Sequence, residues 1–432
     1  MRKYFLFALL LIILTFTKVD KTIALEYQDL YAGLSQGFSA LLDAKEGQTV
    51  FRSLYIPTGG RAEAMGSAFT GLSNDIGFLE FNPAASSVLE SSELAVFHNA
   101  WIADSSVDTF ALTSRNNNFG WGTSIKCFYV PFTEYNHFGQ RSSGGYYSET
   151  TATLNFAYNF FSGYKFKGLA FGANIKAAYR SVPDYADDFS MTIIEKSGLS
   201  QSAIAFMADL GFQIRFNLAK NFSSRDPNFQ IGLVATNLGA AFTGLDKGAK
   251  LDDALPTHFA LGISYQVVRP VILTLEFRQP INILDVSKSE MFSAGFGLSV
   301  QCTHFFSFQT GFLLSGANPR FSFGTEFEVK KFFINVNYTF DMTSSINPVN
   351  RISLCAKMNL GDKGRKALQE EVDSLYIEGL QLYNEEMLEE AIDVWKQSLA
   401  LDPSFDPAKE GIENAQNMID LIRRIKEYQS LD

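Results

Sequence analysis

Alternating apolar and polar residues predict an all-β transmembrane barrel of about fourteen antiparallel strands, followed by a small all-α module. Three observations carry this. The N-terminus has a secretory leader, a period of two runs from about residue 93 to 360, and the period turns helical after Leu360.

Arg2 and Lys3 precede an apolar run, Phe5 to Phe16, that only Thr15 softens. A basic start before about a dozen apolar residues reads as a signal peptide, too short to span a bilayer comfortably. Thr22 and Ala24 supply small residues at the −3 and −1 positions, so cleavage after Ala24 makes 1–24 the signal peptide. The alternative, an anchor helix, is opposed by Lys18, Asp20 and Lys21, which break the run.

No later run is long enough for a transmembrane helix. Yet 46% of the chain is hydrophobic, with 41 Phe, 32 Gly and only 12 Pro, which suits strands whose outer face meets lipid. A net charge of −10 argues against nucleic acid. Cys127, Cys302 and Cys355 are odd in number and far apart, which reads as free thiols. The four scattered histidines form no metal cluster. The sequence holds no nucleophile–base arrangement, phosphate loop, zinc spacing or paired-carboxylate motif, so neither an enzyme nor a bound cofactor is expected.

The strands are expected at 93–102, 107–114, 119–130, 151–161, 169–180, 203–216, 228–237, 257–267, 270–278, 291–301, 304–314, 320–329, 331–340 and 351–360. In the last, Ile352, Leu354, Ala356, Met358 and Leu360 alternate with Arg351, Ser353, Cys355, Lys357 and Asn359. Side chains on a strand point to opposite faces in turn, so each segment has one apolar and one polar face. Alternation alone also fits a soluble sandwich. Segment lengths of about ten residues, aromatics at segment ends (Trp121, Tyr129, Tyr179, Phe340) and small residues on the polar face (Gly295, Gly297) favour a membrane barrel with a crowded lumen. An even strand count brings both ends of the barrel out on one side. Connections after odd strands include 131–150, 181–202, 238–256, 279–290 and 341–350 and are nearly all long, and those after even strands are mostly tight, with 217–227 the exception. Bacterial barrels keep short turns on the periplasmic side, so an outer-membrane location with N-terminus and C-terminal module in the periplasm is expected.

Ahead of the barrel, 25–92 opens on an expected amphipathic helix, 27–44, with Leu30, Leu34, Phe38 and Leu41 on one side. Then come Gly60, Arg61, Met65, Gly66 and Phe69, followed by Asp75 and by Asn82, Pro83 and Ala84. This Gly- and Ala-rich sequence is a poor strand and a modest helix. By composition it suits a periplasmic linker or a filler packed closely inside a lumen. The order of its parts resembles the N-terminal signature of the FadL family of long-chain fatty acid transporters and its PorV-like relatives. Together with the tail, it most resembles a treponemal FadL-like outer-membrane family of uncharacterised proteins. That resemblance implies that the segment is a hatch plugging a fourteen-stranded barrel, with the Asn-Pro-Ala motif inside the hatch.

The barrel is then 93–360, and 361–432 is the helical module. Gly379, Tyr383, Ala391, Trp395 and Pro403 fall at the spacing of a tetratricopeptide repeat. Gly379 and Ala391 let two helices approach, Trp395 fills the space between them, and Pro403 ends the second. A third helix, at roughly 407–428, caps the pair. Such a tail either only stabilises the barrel or docks a periplasmic protein.

Glu276, Arg278, Asp209, Arg215, Glu326 and Glu328 fall on the expected lumen face, where charges ordinarily just fill the interior. Arg215 and Arg278 are the candidates for holding a carboxylate, since guanidinium pairs with carboxylates in a fixed fork. The resemblance implies passive uptake of hydrophobic molecules, long-chain fatty acids or related lipids, through the hatch-plugged barrel, which is surrounded by outer-membrane lipid. The rival is a PorV-like scaffold that anchors or shuttles other proteins. A ligand-sized, Phe-rich lumen would favour transport and a sealed polar one the scaffold.

Overall fold

In the computed structural model, the described residues are 32–33, 35–102, 104–135, 138–187, 192–246, 250–251, 253–341 and 350–429. The expected signal peptide, 1–24, and the first residues of the 27–44 stretch lie outside them. Within that stretch, residues 32–33 and 35–38 are helical, Ser39–Leu41 form a 3-10 turn, and a further turn follows at 44–47.

All fourteen strands form: β1 (Ser92–Ala100), β2 (Ser106–Asn116), β3 (Phe119–Tyr135), β4 (Arg141–Phe160), β5 (Leu169–Ser181), β6 (Ala203–Phe216), β7 (Phe229–Thr243), β8 (His258–Val268), β9 (Val271–Pro280), β10 (Ser293–Thr303), β11 (Phe306–Ser315), β12 (Arg320–Val329), β13 (Phe332–Asp341) and β14 (Arg351–Gly361). Each pairs antiparallel with its neighbours, and β1 closes on β14, so the barrel has no free edge. Closure matters because an unpaired edge in hydrocarbon would leave backbone N–H and C=O groups unsatisfied.

The exposure pattern is inside-out relative to a soluble protein. Val96, Ile125, Leu275 and Phe206 point outward, with Phe206 60% exposed, whereas the inward Asn155, Gln309 and Asn335 are fully buried. An outer wall of Phe, Leu and Ile around a polar interior is stable only where the outer solvent is apolar. The strands therefore span a membrane. Among the described residues no helix is long and apolar enough to do so.

One expected loop is corrected. Residues 131–150 are mostly strand, because β3 and β4 remain paired out to Tyr135 and Arg141. At about 3.3 Å per residue, the 20 residues of β4 outrun a hydrocarbon core of about 30 Å. The hairpin tip therefore stands clear of lipid. Neither of its faces has to be apolar there, so the alternation that marks the other strands fades. Cross-strand aromatic pairs hold it instead: Phe128 with Tyr147, and Tyr129 with Tyr146, each with ring centres 6.4 Å apart.

The path of the chain into β1 departs from expectation as well. Residues 43–56 lie at the long-loop end, opposite the C-terminal helices. The Val50 amide donates to the Ala254 carbonyl at 3.0 Å, the Met291 amide donates to Asp43 at 2.6 Å, and Arg52 pairs with Glu290. Residues 57–90 then thread the lumen to reach β1 at the other end. N-terminal and C-terminal described segments thus sit at opposite ends of the barrel, not at one. Strand parity places the start of β1 and the end of β14 together, but it says nothing about a segment that first crosses the interior.

Beyond β14, three helices form: α1 (Arg365–Asn384), α2 (Leu388–Leu401) and α3 (Asp406–Gln429). Trp395 on α2 is 1% exposed, and its Nε1 donates to the Tyr376 carbonyl at 3.2 Å. A side chain at Gly379 would overlap its indole, Ala391 is buried beside it, Tyr383 lies 5.9 Å away between ring centres, and Pro403 sits in the α2–α3 turn. The helices pack on the short-turn rim. Tyr164 meets Phe405 edge-on at 5.1 Å, Arg225 pairs with Asp373 at 3.0 Å, and Lys165 pairs with Glu410 at 2.7 Å.

Candidate functional site: the hatch and the chambers it separates

The hatch is short turns and single helical turns, because its sequence lacks both strand alternation and a helical stripe. What organises it is contact with the wall. Three pairs of glycines face each other across neighbouring strands: Gly172 and Gly211 on β5 and β6, Gly232 and Gly262 on β7 and β8, Gly297 and Gly311 on β10 and β11. At all six, a Cβ would collide with the hatch or its immediate supports. The first pair receives Asn82, Pro83 and Ala84, the second Thr70 and Gly71, the third Met65 and Gly66. Bare backbone on the wall lets bare backbone on the hatch approach within contact distance.

Polar anchors fix the register. The Asn82 amide donates to the carbonyls of Thr70 at 2.9 Å and Phe212 at 3.2 Å, and its oxygen accepts from the Ala84 amide at 3.1 Å. One Glu276 oxygen accepts from the Phe69 and Thr70 amides, both at 2.8 Å, and the other meets Arg278 at 2.7 Å. Asp75 pairs with Lys357, which also lies 2.8 Å from Glu326. The Gly60 carbonyl accepts from Asn337 at 2.6 Å, and Arg61 donates to Asn74 at 3.1 Å and Ser299 at 3.4 Å. Glu63 accepts from Asn99 at 3.1 Å and from Thr339 at 3.2 Å, with Arg351 3.6 Å away. Apolar contacts complete the seat: Phe69 packs on Phe81, with Met65 and Leu72 in the same cluster.

Every residue of the sequence-expected hatch motif therefore lies in the lumen. Arg215 and Arg278 do not come together. Arg278 borders a chamber of about 430 Å³ at the long-loop end, beside Tyr55, Trp101, Phe128 and Leu313. Arg215 borders one of about 1020 Å³ at the short-turn end, beneath the hatch and roofed by the tail. Between them lies a cavity of about 60 Å³ with Lys176, Asn237 and His258 in its wall. Lys357 and Glu276 were legible as polar-face residues by parity alone. Their hatch partners were not, nor were Arg115 and Arg365 as neighbours of Arg215, since nothing local encodes contacts this distant in sequence.

The pattern of an uncharacterised protein family, UPF0164, matches residues 30–363. The chain belongs to that family. The match spans the hatch and all fourteen strands and stops before α1. Two UPF0164 proteins of Treponema pallidum (strain Nichols) are 30% identical over 396 residues, covering 89% of this chain and 87% of the relative, and 29% identical over 390 residues, covering 88% and 78%. Among solved structures, the chain is similar to a deletion mutant of the monoaromatic hydrocarbon channel TodX (TM-score 0.47, 13% identity, 71% of this chain and 99% of that one). It is also similar to a Pseudomonas aeruginosa FadL homologue (TM-score 0.41, 10% identity, 70% and 97%).

Replacing Gly211 or Gly311 with valine should unseat the hatch while leaving the barrel closed. Overpacking of this kind costs about 1–3 kcal/mol, so amide exchange in residues 60–85 should quicken by roughly tenfold to a hundredfold. The same replacement at outward Leu233 should leave hatch exchange unchanged. Equal protection of the hatch in all three variants would refute the glycine seat.

Proposed function

We propose that this protein is an outer-membrane channel for hydrophobic molecules, with long-chain fatty acids or related lipids as cargo and the hatch as its gate. One observation carries the reading. A segment held by separable contacts, backbone on glycine and side-chain ion pairs, divides a membrane barrel into two ligand-sized chambers. The long-loop chamber suits capture: aromatic and aliphatic side chains supply apolar wall, and Arg278 lies beside them. Release then needs the hatch to shift, because the 60 Å³ cavity between the chambers is too small for cargo. Nothing in this scheme draws on an energy source, so flux follows the gradient.

The densely filled lumen favours a second reading, a PorV-like scaffold for other proteins with the tail as a periplasmic docking module. Removal of residues 58–85 separates the two. A gated channel should gain conductance in planar bilayers on deletion, and the intact protein in liposomes should pass a long-chain fatty acid faster than empty liposomes do. No passage by the intact chain, and no lipid retained on gentle extraction by native mass spectrometry, would leave the scaffold.

The orientation that goes with this reading puts the long-loop end outside the cell. Lys45, at that end, and Lys396, on the tail, are both exposed. With the native cysteines replaced, Lys45→Cys should react with an impermeant maleimide on intact cells, and Lys396→Cys only after permeabilisation. The reverse pattern would invert the topology.

A further inference from the structure

The short-turn chamber has a charge that the chain as a whole does not. Lys and Arg number 36 against 46 Asp and Glu overall, yet seven cationic side chains border this chamber against four carboxylates. Three of those carboxylates are engaged elsewhere. Glu90 faces Lys366 at 3.9 Å, Asp362 accepts from the Gly364 and Lys366 amides, and Asp402 accepts from the Ser404 amide and hydroxyl.

Two guanidiniums converge on one oxygen. Arg115, near the end of β2, donates to the Leu89 carbonyl at 2.9 Å, and Arg365, at the start of α1, donates to the same carbonyl at 3.3 Å. Arg365 also donates to the carbonyls of Arg115 at 3.1 Å and Glu90 at 2.5 Å. Both side chains are half-buried, and among the described residues neither forms an ion pair with a carboxylate. A carbonyl positions a guanidinium but leaves its charge unneutralised, and like charges this close repel more strongly where water is scarce. Arg215 adds a third cation to the chamber, held by the Lys167 carbonyl at 3.4 Å.

The rest of the wall is polar. Ligand pockets are ordinarily lined mostly by apolar side chains, but here Ser, Asn and Gln predominate, among them Asn118, Ser162, Ser264 and Gln301. Leu72 and Val88 border the chamber but are 1% and 2% exposed, and so offer almost no apolar surface. At about 1020 Å³ the chamber has room for far more than a single ion. Its chemistry suits a compact anion of more than one charge on a polar, hydroxyl-bearing body.

A phosphomonoester carries about −1.5 to −2 charge near neutral pH and presents three acceptor oxygens, and guanidinium meets phosphate in a bidentate fork. We infer that the chamber binds a water-soluble phosphomonoester, its phosphate on Arg115 and Arg365 and its body against the Ser, Asn and Gln wall. Arg115 belongs to the barrel, Arg365 to the tail and Leu89 to the end of the hatch, so the bound phosphate fastens the tail to the barrel rim. The site stands whether or not the barrel passes cargo. A phospholipid with a terminal phosphate offers the same anion, and the test separates the two sources.

The experiment titrates the full chain, in phosphatidylcholine nanodiscs, with glucose 6-phosphate and follows the heat of binding. Saturable binding is expected, with glucose silent and inorganic phosphate, which lacks the body, at least about tenfold weaker. Arg115→Gln with Arg365→Gln should weaken binding of the ester at least about tenfold, the loss expected from one charge-assisted hydrogen bond. Lys331→Gln removes an exposed cation from the same rim that does not border the chamber, and should leave binding unchanged. Bound ester should also slow amide exchange in residues 362–368 of the native chain and not of the double variant. Should the double variant fail to insert, Arg365→Gln, outside the barrel, gives the same two readouts. No saturable binding, equal affinity for glucose or inorganic phosphate, an unchanged double variant, or an equal loss in Lys331→Gln would each overturn the proposal. Phosphatidic acid added to the disc should not compete. Competition would assign the site to a lipid headgroup and overturn the soluble ligand.

Discussion

The interior of this barrel depends on backbone meeting backbone. The hatch has neither a continuous helix nor a strand to satisfy itself. It is placed by three cross-strand glycine pairs that let Met65–Gly66, Thr70–Gly71 and Asn82–Ala84 reach the wall. A methyl group at any one of those wall positions would push the segment into the lumen. From that approach follow the rest of the contacts: Asn82 is near enough to bond the Phe212 carbonyl, Glu276 meets two hatch amides, and Lys357 reaches Asp75.

This seat combines buried charge pairs with buried apolar contacts. Buried charge pairs are costly to desolvate, and their net contribution to stability is small compared with the penalty for leaving one partner alone. Pairs such as Lys357 with Asp75 therefore specify one hatch position sharply without making it deep. Should water enter as the hatch shifts, each charge regains hydration, and the cost of separation falls. The apolar contacts of Met65, Phe69, Leu72 and Phe81 would forfeit their burial with no such compensation.

How much of this was legible varied with the range of the signal. Period-two alternation is local and is imposed by lipid on one face, so fourteen strands could be counted from residues such as Ile352, Leu354 and Met358 before any pairing was known. Where lipid stops, the signal stops, and the β3–β4 hairpin tip read as a loop. The hatch was read from the order of its motif, not from physics, since Gly, Ala and Ser say little about where they pack. Gly295 and Gly297 were recognisable as small residues on the polar face, but their relation to Gly311 and Gly66 depends on register and on a segment more than two hundred residues away. The same distance hid the passage of the N-terminal segment to the long-loop end. Trp395, Gly379 and Ala391 were legible because their spacing is helical and local.

The central claim is that cargo passes only when the hatch leaves its seat. It is tested most directly by tethering hatch to wall. In a chain with Cys127, Cys302 and Cys355 replaced, cysteines at Asp75 and Lys357 put a thiol on each side of the hatch–wall boundary, where the ion pair stood. A short reducible bis-thiol crosslinker should then abolish fatty acid flux into liposomes, and reduction should restore it. Full flux through the tethered protein would contradict a moving hatch.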